Sequence, residues 1–147
     1  MQFRDLKPGA VIETGSRVIT ESEIVEFASR YDPQWFHIDR ERAERGRWKG
    51  LIASGWHTAA VGMELVVKHI LIDSSSFGSP GLDGLKWLAP VRPGDALKVS
   101  CHVLESSVSA SGGTGIIRWT WQISNQSGVT VCELTATSLF ALGEQQS

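Results

Sequence analysis

Gly55-Trp56-His57-Thr58-Ala59-Ala60-Val61-Gly62-Met63-Glu64-Leu65-Val66-Val67-Lys68-His69-Ile70-Leu71-Ile72 is apolar on nearly every side. A helix with such a pattern is normally buried, and Glu64 and Lys68, one turn apart, leave only a narrow polar edge. The stretch therefore predicts a central core helix. Ser54 stands in its N-cap position, and the Ser/Gly/Pro-rich segment Ser74–Gly81 predicts a loop after it. Beyond residue 81 the hydrophobic period changes to two. Leu97, Val99, Cys101 and Val103 alternate with Lys98, Ser100 and His102, and Ile117, Trp119, Trp121 and Ile123 alternate with Arg118, Thr120, Gln122 and Ser124. Each run reads as a half-buried strand. Ser111-Gly112-Gly113 and Asn125-Gln126-Ser127-Gly128 mark turns, the second leading to a Thr/Val-rich strand through about Phe140. Pro90 and Pro93-Gly94-Asp95 separate a further strand around Leu85–Ala89 from its successor.

Upstream of the core helix, Thr20-Glu21-Ser22-Glu23 is a capping box, with Ile19 and Ile24 placed as its hydrophobic staple. Ile24, Phe27, Ala28 and Tyr31 follow at helical spacing, and Pro33 ends the helix. The residue before a proline is pushed out of the α region, so Asp32 belongs at an extended corner. A second short helix starts at Asp39, whose side chain can cap it, and an early strand lies near Val11–Val18. A buried helix followed by a meander of antiparallel strands predicts an α+β fold, a sheet wrapped around the helix, in one domain spanning residues 1–147.

The chain has 147 residues, 14 Lys+Arg against 16 Asp+Glu and a net charge of −2. That length can bury about 70% of the unfolded surface in one core. The near-neutral balance argues against nucleic acid or an anionic membrane as partner, since both require clustered Lys and Arg. No stretch reaches the roughly 20 apolar residues that span a bilayer, and the N-terminal residues lack the apolar core of a signal peptide, so a cytoplasmic location is expected. Cys101 and Cys132 match no metal spacing and fall in apolar alternating runs, as free thiols in a core do. Three of the six tryptophans, Trp35, Trp48 and Trp56, fall close together, which points to a bulky apolar lining.

Asp32 and His37 lie five residues apart. The spacing alone carries little, because 16 acidic residues and 4 histidines in 147 positions give about 0.4 such pairs by chance. Glu64 and His69 share it, but inside a helix five residues turn through about 500° and the side chains diverge. Pro33 interrupts the helix between Asp32 and His37, so the segment can curl and bring both groups to one point. Tyr31, Trp35 and Phe36 around them would exclude water. Ser54-Gly55-Trp56 opens the buried helix, where the first N–H groups have no internal partner and the dipole favours negative charge. Gly55 leaves those amides unshielded, so a carbonyl resting there would gain hydrogen bonds as it acquires negative charge. The plainer alternative is an N-cap with a glycine for tight packing.

Tyr31-Asp32-Pro33-Gln34-Trp35-Phe36-His37-Ile38-Asp39, Gly50–Thr58 and Gly81–Asp95 together resemble the MaoC-like acyl dehydratases, relatives of (R)-specific enoyl-CoA hydratases. The likeness covers nearly the whole chain, with its blocks in order. It implies a hotdog fold, a curved antiparallel sheet around a long helix, and a homodimer or higher homo-oligomer with the site near the subunit interface. The family motif runs Asp-x-Asn-Pro-x-His. Its aspartate falls on Asp32 and its histidine on His37, and the glycine opening the central helix falls on Gly55. Gln34 stands where asparagine is usual and Trp35 where proline is usual, with proline shifted to position 33.

The resemblance implies reversible water addition to a 2-enoyl thioester giving the (R)-3-hydroxyacyl product. Asp32 and His37 would hold one water between them, and Gly55 would stabilise the enolate. Gln34, Trp35, Phe36, Ser54 and Trp56 are the expected substrate-binding residues, and Trp35, Phe36 and Trp56 would favour short or branched acyl groups. Coenzyme A enters as part of the acyl-CoA substrate, with no separate cofactor. Arg47, Lys49, Lys86 and Arg92 could meet its phosphates, although each also reads as an ordinary solvated charge. Two rivals remain: a hotdog acyl-CoA thioesterase, for which Glu64 is the only candidate carboxylate on the central helix, and a non-catalytic acyl-CoA-binding partner subunit.

Overall fold

A computed structural model describes residues 1–143; residues 144–147 of the expected domain lie outside the described residues. The expected core helix forms as α4 (Gly55–Val66) and continues through a π-helical turn, Val67–Leu71. The strands are β1 (Val11–Glu13), β2 (Arg17–Val18), β3 (Ser76–Trp87), β4 (Ala96–Val108), β5 (Thr114–Ser124) and β6 (Thr130–Ala141). All pair antiparallel, in the order β1-β4-β5-β6-β3, with β2 also on β4. This is the α+β hotdog architecture.

The alternation decides which face of the sheet meets the helix. Leu97, Val99, Cys101 and Val103 of β4 and Ile117, Trp119, Trp121 and Ile123 of β5 are all buried. They pack in one cluster with Val61, Leu65, Val66 and Ile70 of the helical segment. Each fully buried aliphatic side chain contributes about 1.5–3 kcal/mol, so this layer supplies much of the driving force for folding. A β-carbon at Gly62 would overlap Ile123 Cδ1, so glycine there lets α4 lie close against β5. Both cysteines are free and buried within the sheet.

Three expectations need correction. The segment Ser74–Gly81 is not a loop: most of it belongs to β3, paired with β6 through several register shifts. β3 is the edge strand of the sheet, where Pro80 and the irregular glycines are tolerated because one side needs no ladder bonds. The early strand is split into β1 and β2, because the Thr14 side chain takes over a ladder position by accepting from the Val99 amide at 2.9 Å. Nor is α4 buried all round, since Trp56 and Met63 are 60% and 45% exposed on its outer face. Among the described residues, no helix is long and apolar enough to cross a membrane.

Candidate active site

Helix α1 (Glu21–Tyr31) starts with the expected capping box: Thr20 Oγ1 accepts from the Glu23 amide at 3.2 Å, and Glu23 Oε1 accepts from the Thr20 amide at 2.7 Å. It ends at Asp32, whose φ of −152° and ψ of 68° lie outside the α region that the following Pro33 disfavours but short of the extended conformation expected there. A single helical turn not expected from the sequence, α2 (Trp35–Ile38), then reverses the chain. His37 thereby swings back until its Nε2 lies 3.2 Å from Asp32 Oδ2. Helix α3 (Arg40–Arg45) follows, capped by Asp39 as its sequence suggests.

The hydrogen-bond partners define the state of this pair. His37 Nδ1 lies 2.7 Å from the Ile52 carbonyl oxygen, which can only accept, so Nδ1 carries a hydrogen. Nε2 is then the ring nitrogen left to exchange a proton with Asp32 or a ligand. Gln34 Nε2 donates to Asp32 Oδ1 at 2.8 Å, and Ser54 Oγ donates to Oδ2 at 2.7 Å. Burial pushes the Asp32 pKa upward and is the largest single influence. Donation from Gln34 and Ser54, with the charge and hydrogen bond of His37, together outweigh it and hold Asp32 below its ordinary value.

Asp32 and His37 open into a cavity of about 450 Å³. Its lining combines the buried side chains Ile52, Ala53, Val91 and Val131 with the more exposed Trp48, Trp56 and Trp87. Gly55, Gln34 and Phe36 also line it. At the start of α4, Ser54 makes no side-chain cap, its hydroxyl being committed to Asp32. The first-turn amides are thus left without that internal acceptor.

Two expected site residues stand elsewhere. Trp35 does not line the cavity: its ring lies under the Arg42 guanidinium, 4.5 Å away, and against the space a Gly46 side chain would need. The turn of α2 that brings His37 inward carries Trp35 outward. Ser54 is fully buried behind Asp32, where it positions the carboxylate and does not face the cavity. Conversely, Trp87 and Thr58 line the cavity without having been singled out as site residues, whereas Trp48 lies in the lining that the cluster of tryptophans suggests. Trp87 packs so closely on the helix start that a β-carbon at Gly55 would run into its indole.

Glu64 lies outside this cavity. Its Oε1 is 2.6 Å from Arg17 Nε, and Arg17 Nη2 also holds Glu23 at 2.7 Å, so the expected Lys68 contact, 3.4 Å, is secondary.

Residues 5–118 match the family model described as the MaoC like domain. An uncharacterised protein of Bacillus subtilis, YdeM, is 29% identical over 133 residues, covering 90% of this chain and 94% of its own length. The crystal structure of a MaoC-like dehydratase from Rhodospirillum rubrum superimposes with a TM-score of 0.86 at 35% identity, covering 94% of each chain. The unliganded R-hydratase PhaJ1 of Pseudomonas aeruginosa gives 0.76 at 26% identity, covering 97% of this chain and 86% of that one. With the Asp32/His37 pair and the α4 N-terminus on one cavity, these likenesses place the chain in the MaoC-like dehydratase family.

Proposed function

We propose that this chain is a cytoplasmic (R)-specific 2-enoyl-CoA hydratase, adding or removing water across the α,β bond of an acyl-CoA thioester. The observation that carries this reading is the contact of His37 Nε2 with Asp32 Oδ2 at the wall of a cavity that also exposes Gly55.

A thioester carbonyl at the start of α4 would accept hydrogen bonds from first-turn amides, and these strengthen as the oxygen becomes an enolate. The β-carbon then faces Asp32 and His37. Their direct contact leaves no room for a water between them, so the attacking water sits beside the pair, touching both. As its oxygen bonds to the β-carbon, one water proton passes to the pair, and the pair returns one proton to the α-carbon. Substrate gains H and OH, and Asp32 and His37 end with the protons they began with. Coenzyme A is part of the substrate, and the steps require no further cofactor.

A homodimer is the working unit in this reading. The exposed Trp56 and Met63 on α4, with Phe77, Leu82 and Trp87 on edge strand β3, form apolar surface of the kind a second copy covers.

Loss of the conjugated enone absorbance on adding trans-2-enoyl-CoA, with chiral analysis of the 3-hydroxyacyl product, tests the activity. Release of free thiol without absorbance-matched hydration contradicts it.

A further inference from the structure

Arg92 makes no ion pair among the described residues; its guanidinium is occupied by backbone. Nη1 donates to the Gly50 carbonyl at 3.3 Å, and Nη2 donates to the Trp48 carbonyl. These two carbonyls flank Lys49, whose φ of +60° is the only positive value at a non-glycine residue among the described residues. A side chain disfavours that left-handed conformation, so it persists where surrounding contacts impose it. The planar guanidinium, with donors in a fixed fork, bridges both sides of the turn as a single ammonium could not.

Arg92 is itself held. Its amide donates to Asp95 Oδ2 at 2.9 Å, Asp95 Oδ1 accepts from Gln126 Nε2 at 3.0 Å, and Gln126 Oε1 accepts from the Ala96 amide at 3.0 Å. The adjacent Val91 carbonyl accepts from the Ala53 amide at 2.9 Å. The sheet is thus tied through Arg92 to the turn carrying Trp48, which lines the cavity together with Val91 and Ala53.

We propose that Arg92 is a positioning residue for acyl-group selection: its clamp on the Trp48 and Gly50 carbonyls holds the Trp48 indole as a fixed wall, which restricts the cavity to short acyl groups. The proposal rests on the acyl-thioester reading above. It gives Arg92 a role through two donors that serve the protein backbone.

Calorimetric binding of butyryl-CoA and octanoyl-CoA, saturated thioesters that cannot be hydrated, tests it independently of turnover. Trp48→Ala raises the octanoyl-to-butyryl affinity ratio about tenfold, the scale set by a methylene-sized change in an apolar pocket. Arg92→Ala and Arg92→Lys shift the ratio in the same direction, and combining Arg92→Lys with Trp48→Ala adds nothing beyond Trp48→Ala alone. Should Arg92→Ala fail to fold, the lysine variant, which keeps the charge, decides with Trp48→Ala. An unchanged ratio in folded Trp48→Ala or Arg92→Lys overturns the proposal, as does wild-type protein that binds neither thioester. Wild-type protein that shows the expected ratios but hydrates no enoyl-CoA overturns the hydratase reading and leaves the Arg92 clamp supported.

Discussion

Ser54 Oγ donates to Asp32 Oδ2 at 2.7 Å across 22 residues of sequence, and this bond joins the start of the core helix to the end of α1. The start of the helix therefore contributes to the site twice, with Gly55 in the cavity lining and the buried Ser54 hydroxyl behind the carboxylate.

Removing that hydroxyl takes away one of the donors that depress the Asp32 pKa, so in Ser54→Ala the value rises toward the ordinary carboxylate range. Asp32 becomes protonated at a higher pH, and the acid limb of kcat/KM moves upward. Asp32 stays ionised at neutral pH, so the fall in turnover there comes from lost positioning of the carboxylate and should be about tenfold. A pH–rate profile of the variant checks both effects.

Gly55→Ala places a methyl group where the Trp87 indole now lies. Either the indole moves within the cavity or the helix start shifts. A displaced indole obstructs the approach to the first-turn amides and a shifted helix start moves them, and loss of one donor of the proposed oxyanion site costs about 100-fold or more. Steady-state rates should show a large fall for Gly55→Ala and partial recovery when Trp87→Ala is added.

Glu23 closes the capping box and accepts from Arg17. Burial pulls its pKa upward as the largest single influence, but donation from Arg17 and the Thr20 amide, with the Arg17 charge, leaves it below the ordinary 4.5. A depressed carboxylate pKa stabilises the fold above the unfolded value, and that contribution is lost as pH falls through the folded value. Glu23→Gln should cost about 1 kcal/mol at pH 7, the usual scale for a cap. Thermal melts should show the gap closing below pH 4.5.

Burial pushes the Cys101 thiol up to about 12 and the Cys132 thiol up to about 11. Neither forms thiolate at neutral pH, and both are shielded by the sheet. A chromogenic disulfide reagent at pH 8 should label neither in the native protein and both in denaturant.

Local signals were legible in the sequence, while contacts between distant segments were not. Thr20 and Glu23 announced a helix start, Pro33 its end, and the alternation through Leu97–Val103 and Ile117–Ile123 the buried face of the sheet. The convergence of Asp32 and His37 could be anticipated because a proline between them rules out a continuous helix. The end of β3 was legible around Leu85, but its first half was hidden because Gly78, Pro80 and Gly81 carry turn propensities that an edge position overrides. Trp35 misled for a related reason: nearness to His37 in sequence says nothing about which side of a one-turn helix a ring occupies. Trp87 against Gly55, Ser54 on Asp32 and Arg92 on Trp48 depend on tertiary packing that no local pattern encodes.

The central claim is that Asp32 and His37 act as one acid–base pair. Its most direct test is the rate of crotonyl-CoA hydration by Asp32→Asn and His37→Ala, with circular dichroism melts to verify folding. Both variants should fall at least about 100-fold below wild type while remaining folded, the scale for a positioned acid–base group. Near-wild-type hydration by either folded variant would contradict the account.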